Sequence, residues 1–164
     1  GSGPLMMPEM FRFTFPQTLI TIRNPNPSVS RRFANYALLY GYKLEMELRY
    51  FTDKEYILDD EGNEDRIYSK KLARLRSAHG DYLLEGRFLA QEGLTNGNEQ
   101  VKAALFERAD GCRAAVLWND TDEDQPVSLS LEGARWNSWA SPEGEGSGIP
   151  AFIKPQGAML IYEA

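Results

Sequence analysis

Two apolar-rich runs of strand length, joined by a three-residue turn, constrain this chain more than any other feature. Val101-Lys102-Ala103-Ala104-Leu105-Phe106-Glu107-Arg108 runs into Ala109-Asp110-Gly111 and returns as Cys112-Arg113-Ala114-Ala115-Val116-Leu117-Trp118-Asn119. Runs of this kind separated by three residues containing Asp-Gly are a strong hairpin signal. After the acidic residues 120–125, Val127, Leu129 and Leu131 alternate with Ser128 and Ser130. That period of two makes one face wet and turns the other onto a core. Ala158-Met159-Leu160-Ile161-Tyr162 is a last apolar run that would close the module. Residues 98–164 therefore read as a compact antiparallel β unit.

The half before residue 90 follows other rules. Phe11-Arg12-Phe13-Thr14-Phe15 alternates aromatic and polar residues until Pro16, which reads as an extended run. Thr18-Leu19-Ile20-Thr21-Ile22-Arg23 reads as a second. Asn24-Pro25-Asn26-Pro27-Ser28 is a loop, because each proline pushes the residue before it out of helical geometry. Ser28 or Ser30 can then cap a helix carrying Phe33, Ala37 and Tyr40, with Gly41 as its stop. Residues 43–49 fit two patterns. Leu44, Met46 and Leu48 alternate with charged neighbours as in a strand, yet Leu44, Leu48 and Phe51 also continue the helical stripe. Gly41 favours helix, break, strand. Residues 63–84 form the clearest helix, with Tyr68, Leu72, Leu75, His79 and Tyr82 on one face and Glu64 and Asp65 in the first turn. Residues 88–95 read as a strand opening the β unit, and the glycine-rich stretch 142–148 as a flexible loop.

At 164 residues the chain is long enough for one domain with a real core or two small ones. A net charge of −6 argues against nucleic acid and anionic membrane surfaces, which are polyanions. No apolar stretch approaches the ~20 residues that a membrane helix needs. A single cysteine, Cys112, rules out an internal disulfide and reads as a small buried hydrophobe on its strand. Residues 1–7 read as a cloning remnant or disordered lead. They have neither the basic nor the apolar region of a signal peptide. Asn119-Asp120-Thr121 matches the glycosylation pattern, a short and common one.

The stretch 11–88 carries several motifs. They are Phe13-Thr14-Phe15-Pro16, Ile22-Arg23-Asn24-Pro25, Phe33-Ala34-Asn35-Tyr36-Ala37-Leu38-Leu39-Tyr40-Gly41, Glu45-Met46-Glu47-Leu48-Arg49-Tyr50, Leu75-Arg76, and Leu83-Leu84-Glu85-Gly86-Arg87-Phe88. It resembles the last βα units of a (β/α)8 barrel in bacterial glycoside-hydrolase-like proteins of the uncharacterised DUF6259 type. The resemblance implies an α+β chain: terminal βα elements of a (β/α)8-type barrel over residues 8–90, then a C-terminal antiparallel β-sandwich over 91–164. A whole barrel needs roughly 250 residues, so the resemblance implies a C-terminal portion, with catalytic acids on other strands.

A glycosidase needs two carboxyls flanking the scissile bond. Glu45 and Glu47, framed by Lys43 and Arg49, are the candidates here. A solvated or ion-paired strand face explains the same alternation, and Glu47 and Arg49 have the more modest role of holding sugar hydroxyls. Arg23 and Asn24 follow a strand where barrel sites are assembled and can also hold hydroxyls. Trp136 and Trp139 are candidates for stacking on a sugar, while Trp118 ends a core strand. His79, the only histidine, sits on the apolar face of its helix and reads as a packed or capping residue. The acidic run Asp120, Asp122, Glu123 and Asp124 lacks the glycine and terminal glutamate of a calcium loop and reads as a solvated turn. The sequence calls for no metal and no cofactor.

The expected function is thus a structural, substrate-supporting part of a carbohydrate-active enzyme, inactive alone. Its expected partners are a carbohydrate and either the missing N-terminal barrel portion or a second copy. The alternatives are a carbohydrate-binding β module using Trp136 and Trp139, and a freestanding α+β interaction domain.

Overall fold

The computed structural model describes residues 8–16, 18–24, 30–46 and 64–164. Its centre is the expected hairpin. β5 (Val101–Glu107) and β6 (Arg113–Asn119) pair antiparallel from Val101 opposite Asn119 to Glu107 opposite Arg113. Gly111 makes the return at φ 87°, a left-handed value that glycine adopts without the Cβ penalty. Cys112 lies half-buried just before β6 rather than on it.

The hairpin sits inside a six-stranded antiparallel sheet whose order is β10 (Gly144–Ser147), β9 (Ser138–Ser141), β12 (Ala158–Tyr162), β6, β5 and β3 (Arg87–Ala90). β3 (Arg87–Ala90) flanks β5, and β12 (Ala158–Tyr162) inserts between β6 and β9 (Ser138–Ser141). The stretch read as a flexible loop is ordered: β10 (Gly144–Ser147) returns on β9 around Pro142 and Glu143. Among the described residues, three short strand pairs complete the ladders. β4 (Thr95–Asn96) pairs with β8 (Leu129–Ser130), β7 (Gln125–Pro126) with β11 (Phe152–Ile153), and β1 (Thr21–Asn24) with β2 (Lys43–Met46). Only the last pair is parallel.

Both faces of the large sheet are covered, so its central strands read as almost continuous apolar runs. On one face Phe88, Ala104, Phe106, Val116, Trp118 and Leu160 pack against helices α2 (Arg31–Leu39), α3 (Glu64–Ala78) and α4 (Gly80–Leu83). On the other, Leu105, Leu117 and Ile161 meet Val127, Leu129, Leu131, Trp136 and Trp139. The protein is thus mixed α+β.

α2 starts where Ser30 Oγ accepts the Phe33 N–H at 3.2 Å, an N-cap. It ends in a Schellman turn, with Gly41 N–H donating to Leu38 O and Tyr42 N–H to Ala37 O. Gly41 holds φ 64° at that turn. Lys43 N–H then donates to Ile20 O and β2 begins, so helix, break, strand describes this segment through Met46. Residues 47–49 lie outside the described residues.

Two further expectations are corrected. The alternating run at 11–15 is not extended: α1 (Pro8–Thr14) is a helix. Pro8 suits a first helical position, Phe11 and Phe15 meet one turn apart at 5.1 Å, and buried Arg12 donates to Tyr40 O, Pro16 O and Thr18 O. The long helix also stops early. α3 ends at Ala78, and His79, at φ −113° and ψ 39°, breaks it before α4.

Candidate functional site

In βα proteins, sites are assembled at the C-terminal ends of parallel strands. β1 and β2 both lead to such an end. Their register places Ile22 opposite Leu44, Arg23 opposite Glu45 and Asn24 opposite Met46. Neighbouring strands lie about 4.8 Å apart, so Arg23 and Glu45 share one rung and Asn24 comes next. Hydrolysis needs a second carboxyl. The candidate for it, Glu47, lies outside the described residues, as does Arg49.

The aromatic candidates pack on the large sheet. Trp136 and Trp139 are half-buried against the second apolar cluster. The Trp139 ring also covers Gly146 on the neighbouring strand, where a Cβ would lie 2.8 Å from its Nε1. Trp118 is buried, with the Lys102 ammonium 4.1 Å from its ring centroid. His79 is half-buried with its ring 4.7 Å from that of Tyr162, and makes no cap. Burial pushes its pKa below the ordinary value, against the opposing pull of Asp81 and Glu145.

The acidic turn is tied down by ion pairs. Asp120 meets Arg32 at 3.0 Å and Lys102 at 3.1 Å, Asp124 meets Lys154 at 2.9 Å, and Asp122 accepts from Gln156 at 3.1 Å. Asn119 corrects the glycosylation pattern. It is wholly buried, its amide donates to Glu123 O, Ile153 O and Lys154 O, and its oxygen accepts from Thr121. No glycan can reach it in the folded chain.

Sequence reasoning missed three clusters. The first is a buried polar network: Ala158 N–H donates to Tyr68 Oη, Tyr68 Oη donates to Asn35 Oδ1, and Asn35 Nδ2 donates to Gln156 O. It fixes α2 and α3 on the start of β12. An Asn on the apolar face of α2 was its one visible signal. Burial is the largest influence on Tyr68 and pushes its phenol up to about 12.

The second caps the end of α2. Arg12 takes Tyr40 O, and Arg76 donates to Gly41 O and Tyr42 O. Burial, with Arg12 adding repulsion, lowers Arg76 to about 10. The third is a cross-strand rung, Arg87–Glu107–Arg113, at one end of the large sheet.

No family model matches the chain, and no curated protein matches it. Among solved structures, it is similar to a GH27 β-L-arabinopyranosidase from Geobacillus stearothermophilus. The TM-score is 0.44, at 13% identity over 84% of this chain. The chain spans 30% of that protein's length.

Proposed function

We propose that this chain serves as the C-terminal section of a carbohydrate-active (β/α)8 enzyme. Residues 8–90 supply its last βα elements, and residues 91–164 form an antiparallel β-sandwich that braces them. The chain alone is structural and supports substrate without hydrolysing it. In this reading Arg23, Asn24 and Arg49 hold sugar hydroxyls beside Glu45 and Glu47, and other strands donate the catalytic acids.

One observation carries the reading: β1 and β2 are a parallel pair with no third strand among the described residues. Parallel sheets are built from more strands and are covered on both faces. Next in the chain, Met10, Phe11, Phe13, Phe15 and Leu19 stand 45% to 62% exposed. Such an apolar surface favours contact with further protein.

Light scattering behind a size-exclusion column, across a range of concentrations, tests this. The expected result is a dimer or larger species, or co-purification with a second polypeptide that supplies strands. A strict monomer at every concentration sinks the reading and leaves a freestanding α+β domain.

A further inference from the structure

Asn96-Gly97 is the one Asn-Gly pair in the chain, and each other asparagine precedes a residue with a side chain. Such a pair is chemically labile. The backbone nitrogen after an asparagine can attack the side-chain carbonyl carbon, and glycine leaves that nitrogen unshielded and its dihedrals free. The Gly97 N–Asn96 Cγ bond forms and the Cγ–Nδ2 bond breaks. Ammonia leaves, carrying the proton from the Gly97 nitrogen. Water then opens the cyclic imide. Opening at the side-chain carbonyl gives an aspartyl residue. Opening at the main-chain carbonyl gives an isoaspartyl linkage, whose main chain runs through the side-chain methylene. Asp110-Gly111 has the same spacing, but Arg108 holds its carboxylate by two hydrogen bonds, at 2.9 and 2.7 Å. A carboxylate held ionised resists attack by nitrogen.

The fold uses both residues of the labile pair. Asn96 Nδ2 donates to Val101 O, and Asn96 Oδ1 accepts the Asn98 N–H at 3.2 Å. A Cβ at Gly97 would lie 2.4 Å from Ser128 Oγ, so the close approach of β8 excludes a side chain there. The same contacts restrain the reaction. The Gly97 N–H donates to Ser128 O at 2.8 Å, so the attacking nitrogen and the carboxamide it must reach are both committed. Reaction needs β4 to lift from β8. That pair has only two rungs, Thr95 with Ser130 and Asn96 with Leu129. Thr95 and Gly97 are exposed and Asn96 is half-buried. Short exposed pieces of this kind open at the low end of the free-energy scale.

We propose that Asn96 is a site of self-modification, where opening of the β4–β8 pair lets Gly97 convert it to an isoaspartyl linkage. The change runs one way. The product carboxylate has no proton to donate to Val101 O and sets oxygen against oxygen there. The extra main-chain atom also breaks the register of a two-rung pair. Leu94 and Leu129, which pack in the second apolar cluster, then lose the tie between them. The site thus records how often this corner of the covering ladder opens. It involves neither the β1–β2 end nor any partner, so it stands or falls separately from the barrel reading.

The test is peptide mapping by mass spectrometry after incubating the intact chain, folded or in urea, at mildly alkaline pH. Position 96 should gain one mass unit, with the isoaspartyl product resolved from the aspartyl one by chromatography. The folded chain should react about tenfold or more slowly than the chain in urea, because only its open fraction reacts. Leu129→Ala loosens the pair, so it should speed the folded reaction several-fold and leave the rate in urea unchanged. Unchanged circular dichroism would show that this variant is folded. The proposal is overturned by a folded rate equal to that in urea, or by product in urea alone. It is also overturned by a folded rate that Leu129→Ala leaves unchanged, by reaction at Asn98 or Asn119 ahead of Asn96, or by no isoaspartyl product in either state.

Discussion

A methyl group added at Gly41 would land 2.9 Å from Phe106 Cε1 and 3.2 Å from an Arg12 guanidinium nitrogen, at φ 64°. Backbone strain and a crowded core both oppose it. Gly41→Ala should therefore cost about 2 kcal/mol, measured as a lower urea midpoint with an unchanged slope. Gly41 was legible as a helix stop because a left-handed C-cap has a local residue preference. Asn119 was not legible. Its tripeptide looks like a surface acceptor, but the partners that consume its amide include Ile153 O and Lys154 O, more than thirty residues away. His79 and Tyr162 lie farther apart still in the sequence, so only the packing reveals which ring His79 rests on.

Between elements, Tyr68 joins α2, α3 and β12 through two hydrogen bonds. Its phenol, ordinarily near 10, is raised to about 12 in the fold, chiefly by burial. The folded state therefore releases this proton later than the unfolded chain does. Stability is unaffected below pH 10 and falls as pH rises from there toward 12, with about 3 kcal/mol lost through this group. Tyr68→Phe should cost about 1–2 kcal/mol at neutral pH and flatten the alkaline fall. Denaturant titrations from pH 8 to 12 would check both. An equally steep fall in the variant would assign it to Tyr36, Tyr42 and Tyr82, which are also raised to about 12. At this scale the sequence misled at α1. A run such as Phe11–Phe15 serves as a strand by its alternation or as a helix by its i, i+4 ring contact. Arg12 favours the helix by reaching Tyr40 O, 28 residues on.

Across the whole molecule, the two apolar clusters lie on opposite faces of one sheet. Adjacent residues serve both, with Phe106 in the first and Leu105 in the second. The helices of the first half share the first cluster with Val116 and Leu160. Disrupting either cover would expose strands needed by the other, which makes unfolding cooperative. Tryptophan fluorescence reports the sheet and its covering ladder, whereas far-ultraviolet circular dichroism at 222 nm is dominated by the helices. The two urea curves should coincide. Separate midpoints would show that residues 8–90 and 91–164 fold as independent units.

The features legible in the chain before folding are local. The β5–β6 hairpin followed from two apolar runs and an Asp-Gly turn, the helix stop from Gly41, and the β half from its strand-length apolar runs. The register of β1 on β2, the insertion of β12 between β6 and β9, and the Asn35–Tyr68 network are tertiary. So is the Arg87–Glu107–Arg113 rung. Each joins residues that share no local pattern. Periodicity says which face of an element is apolar, but many partners can cover such a face. Only the simultaneous burial of all of them, with every buried amide and hydroxyl seeking a partner, selects one arrangement and creates the clefts between its parts.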